Sequence, residues 1–206
     1  IGIQYGITSL LFLLFGFCLM MVMRYQLAYP ETPIPIVGWF FAESGGIMLP
    51  ENYNTLGAMH GTIMIFLGVV PLAVGAFGNY LVPLQIGAPD MAFPKLNASS
   101  YWSYFIGGVI MLASFFTPEG AARSGWTSYP PLSIFESGQT MWLCGMIFLI
   151  TSSLLGSMNI IVTIAALKGI DLFHEPQNFY DKPPVYMGVI SLLIILLSLN
   201  ETLNAN

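Results

Sequence analysis

Five stretches of this chain are too apolar and too poor in charge to lie against water, and that fact governs its backbone. They run at about Ile7–Met23, Gly57–Val82, Ser103–Phe116, Met141–Ala166 and Val185–Leu199. Inside hydrocarbon no water is at hand to bond N–H and C=O groups, so each stretch must fold as a helix that satisfies its own backbone. Charged residues make up only 7% of the 206 residues, where a soluble domain carries roughly a quarter. The expected fold is therefore an all-α integral membrane protein of about five transmembrane helices, part of a larger helical bundle.

The third and fifth stretches fall short of the ~20 apolar residues that a span needs. Their ends must recruit neighbours such as Tyr101, Trp102 and Tyr186, whose aromatic rings suit the headgroup belt. Between the spans lie Tyr29-Pro30-Glu31-Thr32-Pro33-Ile34-Pro35, Gly87-Ala88-Pro89-Asp90 and Ser128-Tyr129-Pro130-Pro131, which read as interfacial loops. No linker, charge run or fixed-period repeat divides residues 1–206, so they form a single membrane domain. Cys18 and Cys144 have no Cys-x-x-Cys spacing and read as small core residues, and most of the twelve Met residues read as core filler. A net charge of −5 points away from nucleic acid. Ile7–Met23 lacks a basic leader and a small-residue cleavage site, and so reads as a span and not a removable signal peptide.

Orientation follows the cations. With the N-terminus inside, Lys95, Lys168 and Lys182 fall on the cytoplasmic side and Arg24 and Arg123 on the other. Arg24 then closes the first span and His60 opens the second at the same outer depth, while Asp90 lies on the inner side. An imidazole in such a segment has two readings. It ligates a metal or haem through a neutral ring nitrogen, with Gly61 leaving room for a flat macrocycle, or it hydrogen-bonds a neighbouring helix.

A second polar group lies towards the inner side. Asp90, Asn79, Asn97, Ser100, Ser152, Ser153 and Asn159 sit in or beside apolar helices, where polar groups are costly unless they face the bundle interior or water. Ser152 and Asn159 are seven residues apart, about two turns at ~3.6 residues per turn, and share one helix face. These residues either line a file of water or glue helices together.

The run Gly75-Ala76-Phe77-Gly78-Asn79-Tyr80-Leu81-Val82-Pro83-Leu84-Gln85-Ile86-Gly87-Ala88-Pro89-Asp90-Met91-Ala92-Phe93-Pro94 resembles subunit I of the haem–copper respiratory oxidases, the cytochrome c and quinol oxidases. Gly125-Trp126-Thr127-Ser128-Tyr129-Pro130-Pro131-Leu132 and Ser152-Ser153-Leu154-Leu155-Gly156-Ser157-Met158-Asn159 match in the same order. Similarity runs from about Leu11 to Leu167 and is looser over residues 168–206.

The resemblance implies that His60 is an axial ligand of a low-spin haem, haem a in type. Arg24 would hydrogen-bond its periphery, and Trp126 and Tyr129 would pack over its propionates. It also implies a proton channel with Asp90 as mouth, Asn79 and Asn97 as gate, and Ser100, Ser152, Ser153 and Asn159 as upper wall. The oxygen-reducing site, with its high-spin haem and copper, needs histidines on helices beyond the fifth. His60 and His174 are the only two here, so no catalytic residue is assigned to this part of the subunit. Gln26 stands where many relatives carry a cation-binding acid, and no metal is expected there. Asp171, His174 and Glu175 read as a solvated loop before a metal site. Implied partners are other oxidase subunits, including a subunit II-like electron-entry subunit, cytochrome c or quinol, and membrane lipid. The implied location is the bacterial cytoplasmic membrane, with the mitochondrial inner membrane as the alternative. The rival reading is a non-catalytic scaffold or transporter-like bundle without haem.

Overall fold

The computed structural model describes residues 1–118, 120–134 and 137–167. Four helices within them are long and apolar enough to cross a membrane: α1 (Gly2–Ala28), α2 (Pro50–Ile86), α3 (Pro94–Phe116) and α4 (Ser137–Leu167). The expected fifth span, Val185–Leu199, and the loop carrying Asp171, His174 and Glu175 lie outside the described residues. The all-α membrane fold is as expected, and the helices extend beyond the apolar runs, at both ends for α1, α2 and α4 and at the N-terminal end for α3. For the third span the extension is nine residues, from Ser103 back to Pro94. It passes through Asn97 and Ser100, which hydropathy reads as an interruption but which are buried against neighbouring helices.

Local chemistry sets the ends. α1 stops at Ala28, just before Tyr29-Pro30, because the residue ahead of a proline is pushed out of the helical region. Pro50 and Pro94 open α2 and α3 in the first turn, where a missing N–H costs nothing. Gly87 closes α2 with a left-handed cap (φ 71°).

The interior of α2 is not a plain α-helix. It widens into π-helical turns over Ile63–Val69 and again over Pro71–Gly78. Pro71 has no N–H to give to the carbonyl of Leu67 four residues back, and its ring crowds that carbonyl. The wider turn relieves the clash, and the orphaned oxygen finds a donor elsewhere, in the hydroxyl of Tyr104 on α3 at 2.7 Å.

α1 and α2 run antiparallel in a constant register. Met23 lies against Gly57, Gly16 against Met64, Leu13 against Gly68 and Tyr5 against Gly75, so each step along one helix is matched on the other. α3 and α4 close the group. Gly107 and Gly145 face each other so closely that a Cβ on either would meet the other's carbonyl oxygen, at 2.9 and 3.0 Å. The main core lies between the helices and includes Tyr5, Met59, Leu67, Tyr104, Met111 and Trp142.

Six methionines are buried as the filler reading expects: Met23, Met48, Met59, Met91, Met111 and Met146. The cysteines are not. Both Cys18 and Cys144 are exposed on outer helix faces, which corrects their assignment to the core. In a membrane helix the outward face meets lipid, so an apolar side chain gains nothing by turning inward.

The α3–α4 seam makes a direct test. Gly107→Val drives a side chain into the Gly145 carbonyl and the Phe148 side chain, and such overpacking costs about 1–3 kcal/mol. Thermal unfolding of the purified complex should show a lower midpoint. Gly156→Ala, which meets nothing within 4 Å, should leave the midpoint unchanged or slightly raised.

Candidate functional site

His60 sits in the N-terminal half of α2, and its Nδ1 lies 2.8 Å from the carbonyl oxygen of Gly16 on α1. A carbonyl only accepts, so Nδ1 carries the proton and donates it. In the neutral ring this bond selects the tautomer whose Nε2 bears a free lone pair, the arrangement that metal-ligating histidines use. Among the described residues nothing is hydrogen-bonded to that Nε2. Beside it, Gly61 faces open space, with no atom within 4 Å of where a Cβ would stand. The Nε2 of a neutral ring beside the open space at Gly61 suits a flat iron-bearing group, so the residues present fit a haem.

Arg24, Trp126 and Tyr129 make no hydrogen bond or ring contact with His60 among the described residues. On the α1–α2 register Arg24 stands at the level of Leu56, about one helical turn outward of His60. Its side chain is exposed and makes no ion pair among the described residues. The loop after α3 folds over the same stretch of α2: Gly125 lies against Ala58, and the Trp126 ring is 6.2 Å from that of Phe66. Arg123 ties this loop to the start of α2 through Glu51 at 3.4 Å. Tyr129, three residues beyond Trp126, is 71% exposed. Gln26 spends its amide on its own loop, donating to the carbonyls of Tyr29 and Thr32 and accepting from Met48 N.

Further along α2 the helices form a partly open cavity of about 60 Å³, room for a few water molecules at ~10–15 Å³ each. Its wall is mostly apolar, but Asn79, Ser100, Ser152 and Ser153 all reach it, together with Tyr5 and Tyr104. Four of the seven inner polar residues thus converge from three helices. Phe66 lines the same cavity, six residues along α2 from His60, ~9 Å at 1.5 Å per residue.

The remaining three inner residues are placed differently. Asp90 is exposed in the loop between α2 and α3, where one carboxylate oxygen accepts from Met91 N at 2.7 Å. Asn97 is buried with its Oδ1 unpartnered, and Asn79 likewise has a buried, unpartnered Oδ1. Two orphan acceptors are unusual in a folded interior and mark places for water to donate. Asn159 is fully buried and uses its side chain on backbone: Oδ1 accepts from Phe93 N at 2.9 Å and Nδ2 donates to Phe93 O at 3.3 Å. Thr163, one turn on, accepts from Ala92 N. Together they pin the loop that carries Asp90.

Tyr5 and Tyr104 escaped the sequence reading. Tyr5 donates its hydroxyl to Ser100 Oγ at 3.0 Å and receives Ser152 Oγ at 3.0 Å, while Ser100 passes its own proton to Asn97 O at 2.7 Å. A string of hydroxyls from α4 through α1 to α3 results. Near the chain start, Tyr5 looks like an interfacial aromatic, and only its position opposite two serines gives it away.

The described residues match known proteins over nearly the whole chain. The family model for cytochrome c and quinol oxidase polypeptide I matches residues 1–204. Similar curated proteins include cytochrome c oxidase subunit 1 of Thermostichus vulcanus, 48% identical over 170 residues (82% of this chain, 28% of that protein). The corresponding subunit of Synechocystis sp. is 44% identical over 180 residues (85% and 30%). Heme-copper oxidase subunit I+III of Aeropyrum pernix is 42% identical over 183 residues (86% and 21%). The chain thus spans less than a third of the length of these relatives.

Tyr104→Phe should leave the Leu67 carbonyl unpaired beside Pro71, at a cost of about 1–3 kcal/mol. A lowered thermal midpoint of the complex, read by scanning calorimetry, is the expected outcome, and an unchanged midpoint would mean that the π-turn satisfies that oxygen unaided. Family model and curated relatives agree on one assignment: the chain belongs to the cytochrome c and quinol oxidase polypeptide I family.

Proposed function

We propose that this chain is the haem-binding and proton-conducting part of a terminal respiratory oxidase that passes electrons from cytochrome c to oxygen and pumps protons. The observation that supports it is the His60–Gly16 bond, which engages Nδ1 and leaves Nε2 as the lone-pair donor of a neutral ring. His60 Nε2 would hold the iron of a low-spin haem, haem a in type. Bound there, the haem supplies one-electron transfer. Arg24 puts a fixed positive charge one turn outward of His60, which favours extra negative charge nearby. Trp126 and Tyr129 cover the same outer region and limit the access of water.

On the inner side Asp90 takes up protons at the surface. Asn79 and Asn97 offer their unpartnered oxygens to water, and Ser100, Ser152 and Ser153 line the cavity beyond. Asn159 acts by holding the Asp90 loop through Phe93. Such a path beside a buried electron carrier makes sense electrostatically, because uncompensated charge in a low-dielectric interior is expensive and an incoming proton offsets it. The oxygen-reducing site, with high-spin haem and copper, belongs to the remainder of the subunit. Other oxidase subunits, including a subunit II-like electron-entry subunit, and cytochrome c or quinol are the partners, and the bacterial cytoplasmic membrane is the location.

A non-catalytic scaffold would use the same Gly16 bond as glue between α1 and α2, and an optical spectrum separates the two. The purified, reduced complex should show a low-spin haem band that His60→Ala abolishes; a colourless, iron-free complex overturns the proposal. Asp90→Asn should strongly reduce proton uptake, measured in proteoliposomes, while that band stays intact. Unaltered pumping in this variant removes the channel assignment and leaves the haem assignment standing.

A further inference from the structure

Trp142 on α4 is 1% exposed, shut in among the described helices in the same core as Met59 and Ile63 of α2 and Met146 of its own helix. Its indole N–H needs an acceptor there, because an unpaired donor in so apolar an interior is costly. Thr62 Oγ1 of α2 provides one at 3.4 Å. Thr62 is itself fully buried, and its hydroxyl donates to Ala58 O, one turn back, at 3.0 Å. That oxygen can still accept, and the indole is the donor that meets it.

Thr62 stands two residues beyond His60 on the same helix. At ~100° per residue the two side chains leave α2 ~200° apart, on nearly opposite sides. One side is bonded to α1, through His60 Nδ1 and Gly16 O at 2.8 Å, and the other to α4, through Thr62 and Trp142. A helix held from one side can swing about that contact; held from both, it cannot turn at that level. The bracket falls immediately before Ile63, where α2 leaves regular α-helical bonding for its first π-helical turns, so tertiary contacts and not the helix alone fix the rotation at His60. The same stretch of α4 secures the neighbouring loop as well. Gln139, three residues before Trp142 and on the same face, accepts from Ser124 Oγ at 2.7 Å, and Gly125 of that loop lies against Ala58.

We infer that Trp142 is a positioning residue for His60: its indole N–H, through Thr62, fixes the rotation of α2 at this level and thereby the direction of the imidazole Nε2. The inference rests on the reading of His60 as a haem ligand. Hydrogen bonds that orient a ligating imidazole tune the group it holds, and this one acts from the side of the helix that Gly16 does not reach.

The test is electron paramagnetic resonance of the complete oxidase complex, oxidised and frozen. The g-values of a low-spin ferric haem follow the orientation of its axial imidazole and not the overall stability of the protein. Trp142→Phe removes the N–H and keeps an aromatic ring, Thr62→Val removes the acceptor and keeps the shape, and Thr62→Ser keeps a hydroxyl. The expected result is a low-spin signal displaced in the same sense in Trp142→Phe and Thr62→Val, no further displaced in the double variant, and native in Thr62→Ser. Native g-values in Thr62→Val, with the haem band at full strength, overturn the inference and leave the haem reading standing, even if Trp142→Phe does not assemble. A displacement in only one of the two also overturns it, since the bulk of the indole or the Thr62–Ala58 bond would then be responsible. A native complex without any low-spin haem signal removes the reading of His60 itself, and this inference with it.

Discussion

Hydrocarbon offers no hydrogen bonds, and among the described residues several carbonyls and amides are met by a side chain from a neighbouring helix. Pro71 strips Leu67 O of its donor and Tyr104 supplies another. The loop between α2 and α3 leaves Ala92 and Phe93 amides without helical partners, and Thr163 and Asn159 of α4 accept from them. Gly16 O receives the imidazole of His60. The cost of an unpaired group in such a medium is several kcal/mol, so these contacts fix which helices are neighbours. Regularity would have made the helices interchangeable; the irregularities make the packing unique.

The same contacts sort the chain into two working halves along α2. Outward of Phe66, the helix carries His60 and receives the loop with Trp126. Inward of it, π-helical turns widen α2 where the cavity opens, and Asn79 presents an unsatisfied oxygen. Widened turns often occur at functional positions because they rotate the following side chains relative to the preceding ones. Here they fall over Ile63–Val69 and Pro71–Gly78, between His60 and Asn79 on the same helix.

Glycine placement supports both halves. Gly75 accepts the Tyr5 ring so closely that a Cβ would lie 2.6 Å from it, and Gly16 leaves the same space for Met64. Because α1 is thereby seated directly on α2, Tyr5 reaches Ser100 and Ser152 at the inner end and Gly16 O meets His60 further out.

Much of this was legible from the residues. Apolar runs located the four described spans, the Gly-Asn-Tyr-Leu-Val-Pro and Gly-Trp-Thr-Ser-Tyr-Pro-Pro motifs carried the family, and His60 stood out as an imidazole in lipid. Hydropathy missed the polar first turns of α3 because it scores a side chain without its neighbours, and it misplaced Cys18 and Cys144 because the outer face of a membrane helix is itself apolar. Composition and motif determined that the chain is helical, membrane-embedded and of this family, since solvent-transfer energies and local turn chemistry act residue by residue. The tautomer of His60, the enlistment of Tyr5 and Tyr104, and the division between cavity-lining serines and the loop-holding Asn159 were decided by the tertiary structure. Hydrogen-bond partnership between helices depends on register and rotation, which no single segment encodes.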